Sequence, residues 1–161
     1  MKLKFVISIL IIIVVQGFST FLRAGGDIKY RVADIPKALL KDAKAVVRNE
    51  DIMVEIKSNG KLVQSVKYAI TILNKNGEGN GYFQHSYDKN RKVSGIKAQL
   101  YDESGKEFKK KGGFETLDYA MISSGSIYDD NRIKAINPEQ YEYPYTIEYT
   151  YDVTYSGVLQ Y

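Results

Sequence analysis

The sequence contains no cysteine and no tryptophan, and it has one histidine and three prolines in 161 residues. Without cysteine there is no disulfide, no thiolate metal site and no cysteine nucleophile. A cysteine-linked lipid anchor is excluded for the same reason. One histidine, His85, leaves a histidine-dependent acid–base pair nothing to be built from except that single ring. Basic charge is also scarce where it would matter. Residues 1–24 hold Lys2, Lys4 and Arg23 and no acid, so the remainder carries 20 basic against 19 acidic side chains. That near balance does not make the clustered basic face that nucleic acid requires.

Long apolar runs are missing too, apart from one at the start. Phe5 to Val15 is apolar except for Ser8, and Lys2 and Lys4 precede it. Eleven residues fit the apolar core of an export signal and fall short of the roughly 20 needed to cross a bilayer. Small residues at Gly17 and Ser19 offer one cleavage site and Ala24 a second. Residues 1–24 therefore read as a signal peptide, with a retained anchor as the alternative because Phe18, Phe21 and Leu22 prolong the apolar character. Residues 25–161 read as one β-rich domain, large enough to bury a core of its own.

What is abundant is tyrosine, 14 in all. Eight odd positions from Tyr141 to Tyr155 are Tyr141, Tyr143, Tyr145, Ile147, Tyr149, Tyr151, Val153 and Tyr155, and every even position between them is polar or proline. Only a strand places i, i+2 and i+4 on one face, so this segment predicts a long strand with one aromatic and one wet face. Pro144 predicts a kink or an edge position at its start. With only six residues after Tyr155 and no lysine between Lys134 and Tyr161 to blunt an edge, the expectation is an incomplete domain whose tyrosine strand has an unsatisfied edge.

The other elements follow from turn chemistry and periodicity. Asp34 and Pro36 predict the start of a short helix over about 35–44. A strand over 46–57, with Ile52, Val54 and Ile56 on one face, turns at Ser58-Asn59-Gly60-Lys61 into a strand over 62–73. Val66, Tyr68, Ile70 and Ile72 point inward on the return. Residues 74–81, with three glycines and three asparagines, predict a loop. Short strands are expected over 82–87, around 96–100, over 107–109 and over 132–136, with 114–122 irregular or a single helical turn. The fold class is all-β: an antiparallel β-sandwich-like or meander sheet with one short N-terminal helix.

No constellation of catalytic residues emerges. His85 and Ser86 are adjacent, so on a strand they face opposite ways, and no Gly-x-Ser-x-Gly or Ser-x-x-Lys pattern occurs. Asp129, Asp130 and Asn131 lack the spacing of a calcium loop and read as a turn. Gly77 to Gly81 lacks the ending of a phosphate loop. Lys109, Lys110 and Lys111 read as a solvated hairpin edge. No cofactor or metal is implied. Tyr143, Tyr145 and Tyr149 are the candidate residues for an aromatic platform binding glycan or peptide, against the plainer expectation that these rings pack a core.

Taken in order, five stretches resemble domain of unknown function 3857. They are Asp34-Ile35-Pro36 with Ala45-Val46-Val47-Arg48; Tyr68 to Asn74; Ile96 to Asp102 with Gly105-Lys106; Ser126 to Arg132; and Tyr143 to Tyr149. The resemblance spans about residues 30–161. It implies a β-rich module in the periplasm or on the cell surface of Gram-negative bacteria, preceding a transglutaminase-like domain that would be its partner. It implies no catalysis here, because transglutaminase-like chemistry uses Cys, His and Asp. The functional expectation is a non-catalytic accessory or interaction module of an exported transglutaminase-like protein. The alternative is a carbohydrate- or peptidoglycan-binding module using the tyrosine face. Export is checked by intact mass or N-terminal sequencing from a Gram-negative host. Loss of residues 1–19 or 1–24 is expected, and an intact Met1 in the membrane fraction would identify a retained anchor.

Overall fold

The computed structural model describes residues 27–111, 115–121 and 131–157. The export segment, Asp129 and Asp130 lie outside the described residues. Eight antiparallel strands are described: β1 Ala45–Ser58, β2 Lys61–Ile72, β3 Phe83–Tyr87, β4 Arg91–Tyr101, β5 Glu107–Lys111, β6 Leu117–Ala120, β7 Arg132–Ile136 and β8 Tyr145–Ser156. They form a five-stranded sheet, β1-β2-β8-β4-β5, and a three-stranded sheet, β3-β7-β6. The all-β antiparallel expectation holds.

The tyrosine strand is the centre of the large sheet. β8 pairs with β2 along its whole length, from Ile72–Tyr145 to Lys61–Ser156. Its other edge pairs with β4, from Tyr101–Thr146 to Arg91–Tyr155. The expected unsatisfied edge on this strand is thus corrected: β1 and β5 are the outer strands. The strand also starts later than expected, after Pro144, because a proline cannot donate to the ladder.

The odd face of β8 packs against the small sheet. Tyr145, Ile147, Tyr149 and Val153 are buried together with Ile70, Ile72, Ala98 and Leu100 from the flanking strands and Phe83 and Ile136 from the small sheet. Each fully buried aliphatic side chain here stabilises the fold by about 1.5–3 kcal/mol. The even face is not uniformly wet. Thr146 and Glu148 are buried, as are Ala69 and Thr71 beside them, because the chain before β1 lies over them. Toward the far end, Thr150, Asp152 and Thr154 are only partly covered.

Two bulges set which side chains reach the core. Between Ser94 and Lys97 the β4 ladder gains one residue against β8, and Gly95 adopts φ +65° there. This lets Val93 and Ile96, which strict alternation would send to opposite faces, both become buried. In β1 the ladder shifts between Val47 and Asn49, so Arg48 is the extra residue and its guanidinium turns toward the N-terminal segment.

Other expectations need adjustment. The helix over 35–44 is a 3₁₀ turn, Val32–Asp34, followed by one turn of helix, α1 Lys37–Leu40. Pro36, not Asp34, is its N-cap, and the Asp34 carboxylate pairs instead with Arg31 at 3.2 Å. Residues 75–81 form a 3₁₀ segment rather than an open loop, begun by Asn74 accepting from the Asn76 N–H at 3.0 Å. The segment from 114 to 122 contains strand β6. Ile52, Val54 and Ile56 share a face as expected, but they are exposed, because the small sheet stops short of β1.

Gly77 shows a close approach that only glycine allows. A Cβ on it would sit 2.1 Å from the Lys44 carbonyl oxygen, whereas one on Gly79 meets nothing within 4 Å. Gly77→Ala is therefore expected to lower stability by more than about 2 kcal/mol, and Gly79→Ala by less than about 0.5 kcal/mol. Thermal melts of the two variants check this; equal melting temperatures would refute the packing.

Candidate functional site

Three features outside the plain core could carry function: the tyrosines, a buried polar cluster, and the outer face of β1. The tyrosine positions are placed as follows. Tyr145 and Tyr149 are 1% and 3% exposed. The Tyr149 hydroxyl donates to the Gly81 carbonyl at 2.6 Å, and its ring lies 5.3 Å from that of Phe83. Tyr143 is half-buried, with its ring 5.7 Å from Tyr145. These three rings do not form an exposed platform. Strand alternation gathered them on one face, but that face became the interior when the small sheet packed on it.

The rings that do reach solvent nearby are Tyr82 and Tyr141, 42% and 68% exposed. With Tyr143 they surround Glu78: Tyr82 donates to its carboxylate at 3.5 Å, and the same carboxylate raises the Tyr143 phenol after burial. Beside them an open cleft of about 840 Å³ is lined by Asp102, Ser104, Phe108, Tyr141 and Tyr143. Sequence reasoning missed Tyr82 and Tyr141 as neighbours because Tyr82 directly follows the 3₁₀ segment that supplies Glu78, whereas Tyr141 lies far from both in sequence.

The polar cluster lies on the even face of β8. Glu148 accepts from the Tyr30 hydroxyl and pairs with Lys67 at 3.3 Å. Arg48 donates to the Tyr30 and Arg31 carbonyls at 2.9 and 3.1 Å and to the Thr71 hydroxyl at 3.1 Å. Thr71 and Thr146 hydroxyls are 2.7 Å apart. The cluster binds the N-terminal segment to the sheet: removing one partner of a buried charge leaves the other uncompensated, at about 3–5 kcal/mol. Burial raises the Tyr30 phenol, and the Glu148 carboxylate raises it further. Burial likewise pushes Tyr101 up to about 12, with Glu148 and Glu107 adding to the effect. The Tyr101 hydroxyl is buried and has no hydrogen-bond partner among the described residues.

The remaining sequence candidates are accounted for locally. The His85 Nδ1 lies 2.8 Å from the Ser86 carbonyl oxygen, and the ring packs edge-on to Tyr151 at 5.6 Å. Lys111 is buried and pairs with Glu139 at 3.0 Å, while the Lys109 ammonium donates to the Pro138 carbonyl at 3.3 Å. The basic run is therefore partly structural, not simply a solvated edge. Among the described residues, no group of three or more His, Asp or Glu side chains is placed to hold a metal, and no helix is long and apolar enough to cross a membrane.

The third feature is the outer face of β1. Ile52, Val54 and Ile56 are 49%, 56% and 59% exposed on the side that becomes the core further along the sheet. Their ladder partners on β2 are Val66, Gln64 and Leu62. Met53, on the opposite face, is 68% exposed. The chain leaves β8 beside this hairpin, where the Gly157 N–H donates to the Gly60 carbonyl at 2.8 Å.

With this geometry in place, comparison with known proteins identifies the family. Residues 58–158 match the family described as Domain of Unknown Function with solved-structure structure (DUF3857), and the chain belongs to it. A search of curated proteins gives no match. Among solved structures, the fold is similar to a crystal structure from Parabacteroides distasonis ATCC 8503 described as a "putative protease". The TM-score is 0.61 at 11% identity, over 71% of this chain and 24% of that one. The chain thus spans about a quarter of that protein's length, and the likeness is one of fold.

Tyr101 and its raised neighbours give a pH dependence of known sign. A phenol whose pKa is higher folded than unfolded contributes stability that is fully present below about 10 and is lost as pH rises toward the folded value. The melting temperature is therefore expected to be flat between pH 7 and 9 and to fall above about pH 10. Tyr101→Phe, which removes an unpartnered buried hydroxyl, should change stability at pH 7 by less than about 1 kcal/mol and weaken the alkaline fall. Melts at pH 7, 9.5 and 11 check both; a large loss at pH 7 would mean the hydroxyl has a partner.

Proposed function

We propose that this domain is a non-catalytic interaction module of an exported transglutaminase-like protein, acting in the periplasm or at the cell surface of a Gram-negative bacterium. The observation that carries this reading is the apolar face of the β1–β2 hairpin. Ile52, Val54 and Ile56 continue the core face of the sheet beyond the small sheet that covers the rest of it. A contiguous apolar surface of this kind marks a contact surface. Two further observations support it. The domain belongs to DUF3857, and a similar fold occurs as about a quarter of a longer chain. The export signal read in residues 1–24 supplies the compartment.

The test has two arms. Amide and ester substrates and an acyl-acceptor amine are incubated with the chain, and no turnover is expected from it. Turnover abolished by His85→Ala in a folded protein would overturn the non-catalytic reading. Hydrogen exchange is then measured with and without a transglutaminase-like domain encoded in the same genome. Slowed exchange at the amides of 50–57 is expected, and no change anywhere on the hairpin would overturn the interaction reading.

A further inference from the structure

Among the described residues β1 is an outer strand of the large sheet, and its sequence complements itself. Between the ladder shifts at Val47/Asn49 and Ile56/Ser58, residues 49–56 run as regular strand on the outside of the large sheet. The stretch contains no proline and no inward-pointing charge on the Ile52 face between Ile52 and Ile56, so the usual devices that block edge pairing are absent there. The opposite face carries Asp51, Met53, Glu55 and Lys57, and the Lys57–Glu55 ion pair at 2.5 Å confirms that those two side chains share it.

We propose that β1 pairs with β1 of a second copy of this chain, antiparallel about a two-fold axis at Val54, joining two five-stranded sheets into one. The inference rests on the interaction-module reading and adds a second partner to the transglutaminase-like domain, one that binds the edge of β1. In this register Val54 faces its own copy and Ile52 faces Ile56 of the other chain. Six branched side chains then form one apolar stripe across the junction. On the other face Met53 lies opposite Glu55, and Asp51 faces Lys57 of the other chain, twice, where Lys57 is the extra residue of the ladder shift that ends the regular stretch.

The neighbouring registers are worse for stated reasons. A two-fold axis keeps like faces together, so only shifts that place a residue opposite itself are allowed. Met53 opposite itself brings Asp51 against Glu55 and Glu50 against Ile56. Ile52 opposite itself sets Glu50 against Val54. Glu55 opposite itself makes a direct like-charge pair. Charges directly opposite on a ladder stabilise when unlike and destabilise when alike. Only the Val54 axis gives both an unbroken apolar stripe and paired opposite charges.

The absence of cysteine makes the register directly readable. The full chain carrying a single Val54→Cys, Ile52→Cys or Ile56→Cys substitution is expressed in a Gram-negative host and oxidised in intact cells. Directly opposed residues have Cβ atoms about 4.5–5.5 Å apart, within reach of a disulfide after small adjustment. Val54→Cys should give a covalent dimer on a non-reducing gel. The Ile52→Cys thiols would lie about 13 Å apart along the strands, and so would those of Ile56→Cys, so neither alone should link. Co-expressing Ile52→Cys and Ile56→Cys chains should restore the dimer.

A charge exchange supplies a second readout in the Val54→Cys background. Asp51→Lys alone and Lys57→Asp alone should each lower the dimer yield, by roughly fivefold to tenfold, and the double exchange should restore it. All these side chains are exposed, so the melting temperature should be unaffected by the exchange. Equal linking by all three single thiols, no linking by Val54→Cys, or indifference to the charge exchange would overturn the proposal. Loss of this dimer with hairpin amides still protected by the transglutaminase-like domain would reject the second copy as partner and leave the module reading standing.

Discussion

Strand β8 hydrogen-bonds along both of its edges, and the rest of the fold depends on that double pairing. β2 holds one edge and β4 the other, so the strand richest in aromatic residues lies at the middle of the sheet. Its odd face then needs a cover, which the small sheet provides through Phe83 and Ile136. Its even face near Thr146 and Glu148 needs one too, and the segment before β1 supplies it. The Glu148 carboxylate is tolerated in that interior because Tyr30 and Lys67 both reach it. Take β8 out of the centre and neither layer has a surface to rest on.

Two local irregularities adapt regular strands to this arrangement. The Gly95 bulge realigns β4 so that Val93 and Ile96 share the interior. The bulge at Arg48 takes one side chain out of the β1 alternation and turns it into a clamp on the N-terminal segment, with three acceptors from Tyr30, Arg31 and Thr71. Both are single-residue insertions in a ladder, the means by which antiparallel sheets redirect side chains without losing pairing on either side.

Among the described residues, the cover over the large sheet is incomplete at its β1 end. The small sheet reaches across β8 and β4 and part of β2, not to β1. The same apolar pattern that builds the core therefore arrives at the outer strand with none of the described residues packed above it. Burial, not residue type, separates Ile70 from Ile52: they lie on the same face of adjacent strands, one inside the sandwich and one outside it. The hairpin is thus both the end of the hydrophobic layer and the end of the hydrogen-bonded ladder, and the chain emerges from β8 beside it.

The alternation from Tyr145 to Tyr155 and the Asn59-Gly60 turn determine strands and a hairpin from local geometry alone, because period two and positive-φ turn residues have few other solutions. The family was legible for the same reason: its motifs are short local stretches in a fixed order. Partnership was not legible. Whether β8 was central or an edge, whether Thr146 and Glu148 met water, and whether Tyr145 and Tyr149 were a platform or a core all depend on what packs over them from distant sequence. Arg48, Gly95 and the Tyr30–Glu148 contact also escaped, since a bulge leaves little mark on an alternating pattern and a contact across 118 residues leaves none. Local periodicity is a property of the backbone, readable in one segment; burial is a property of two surfaces, and only tertiary structure brings both of them together.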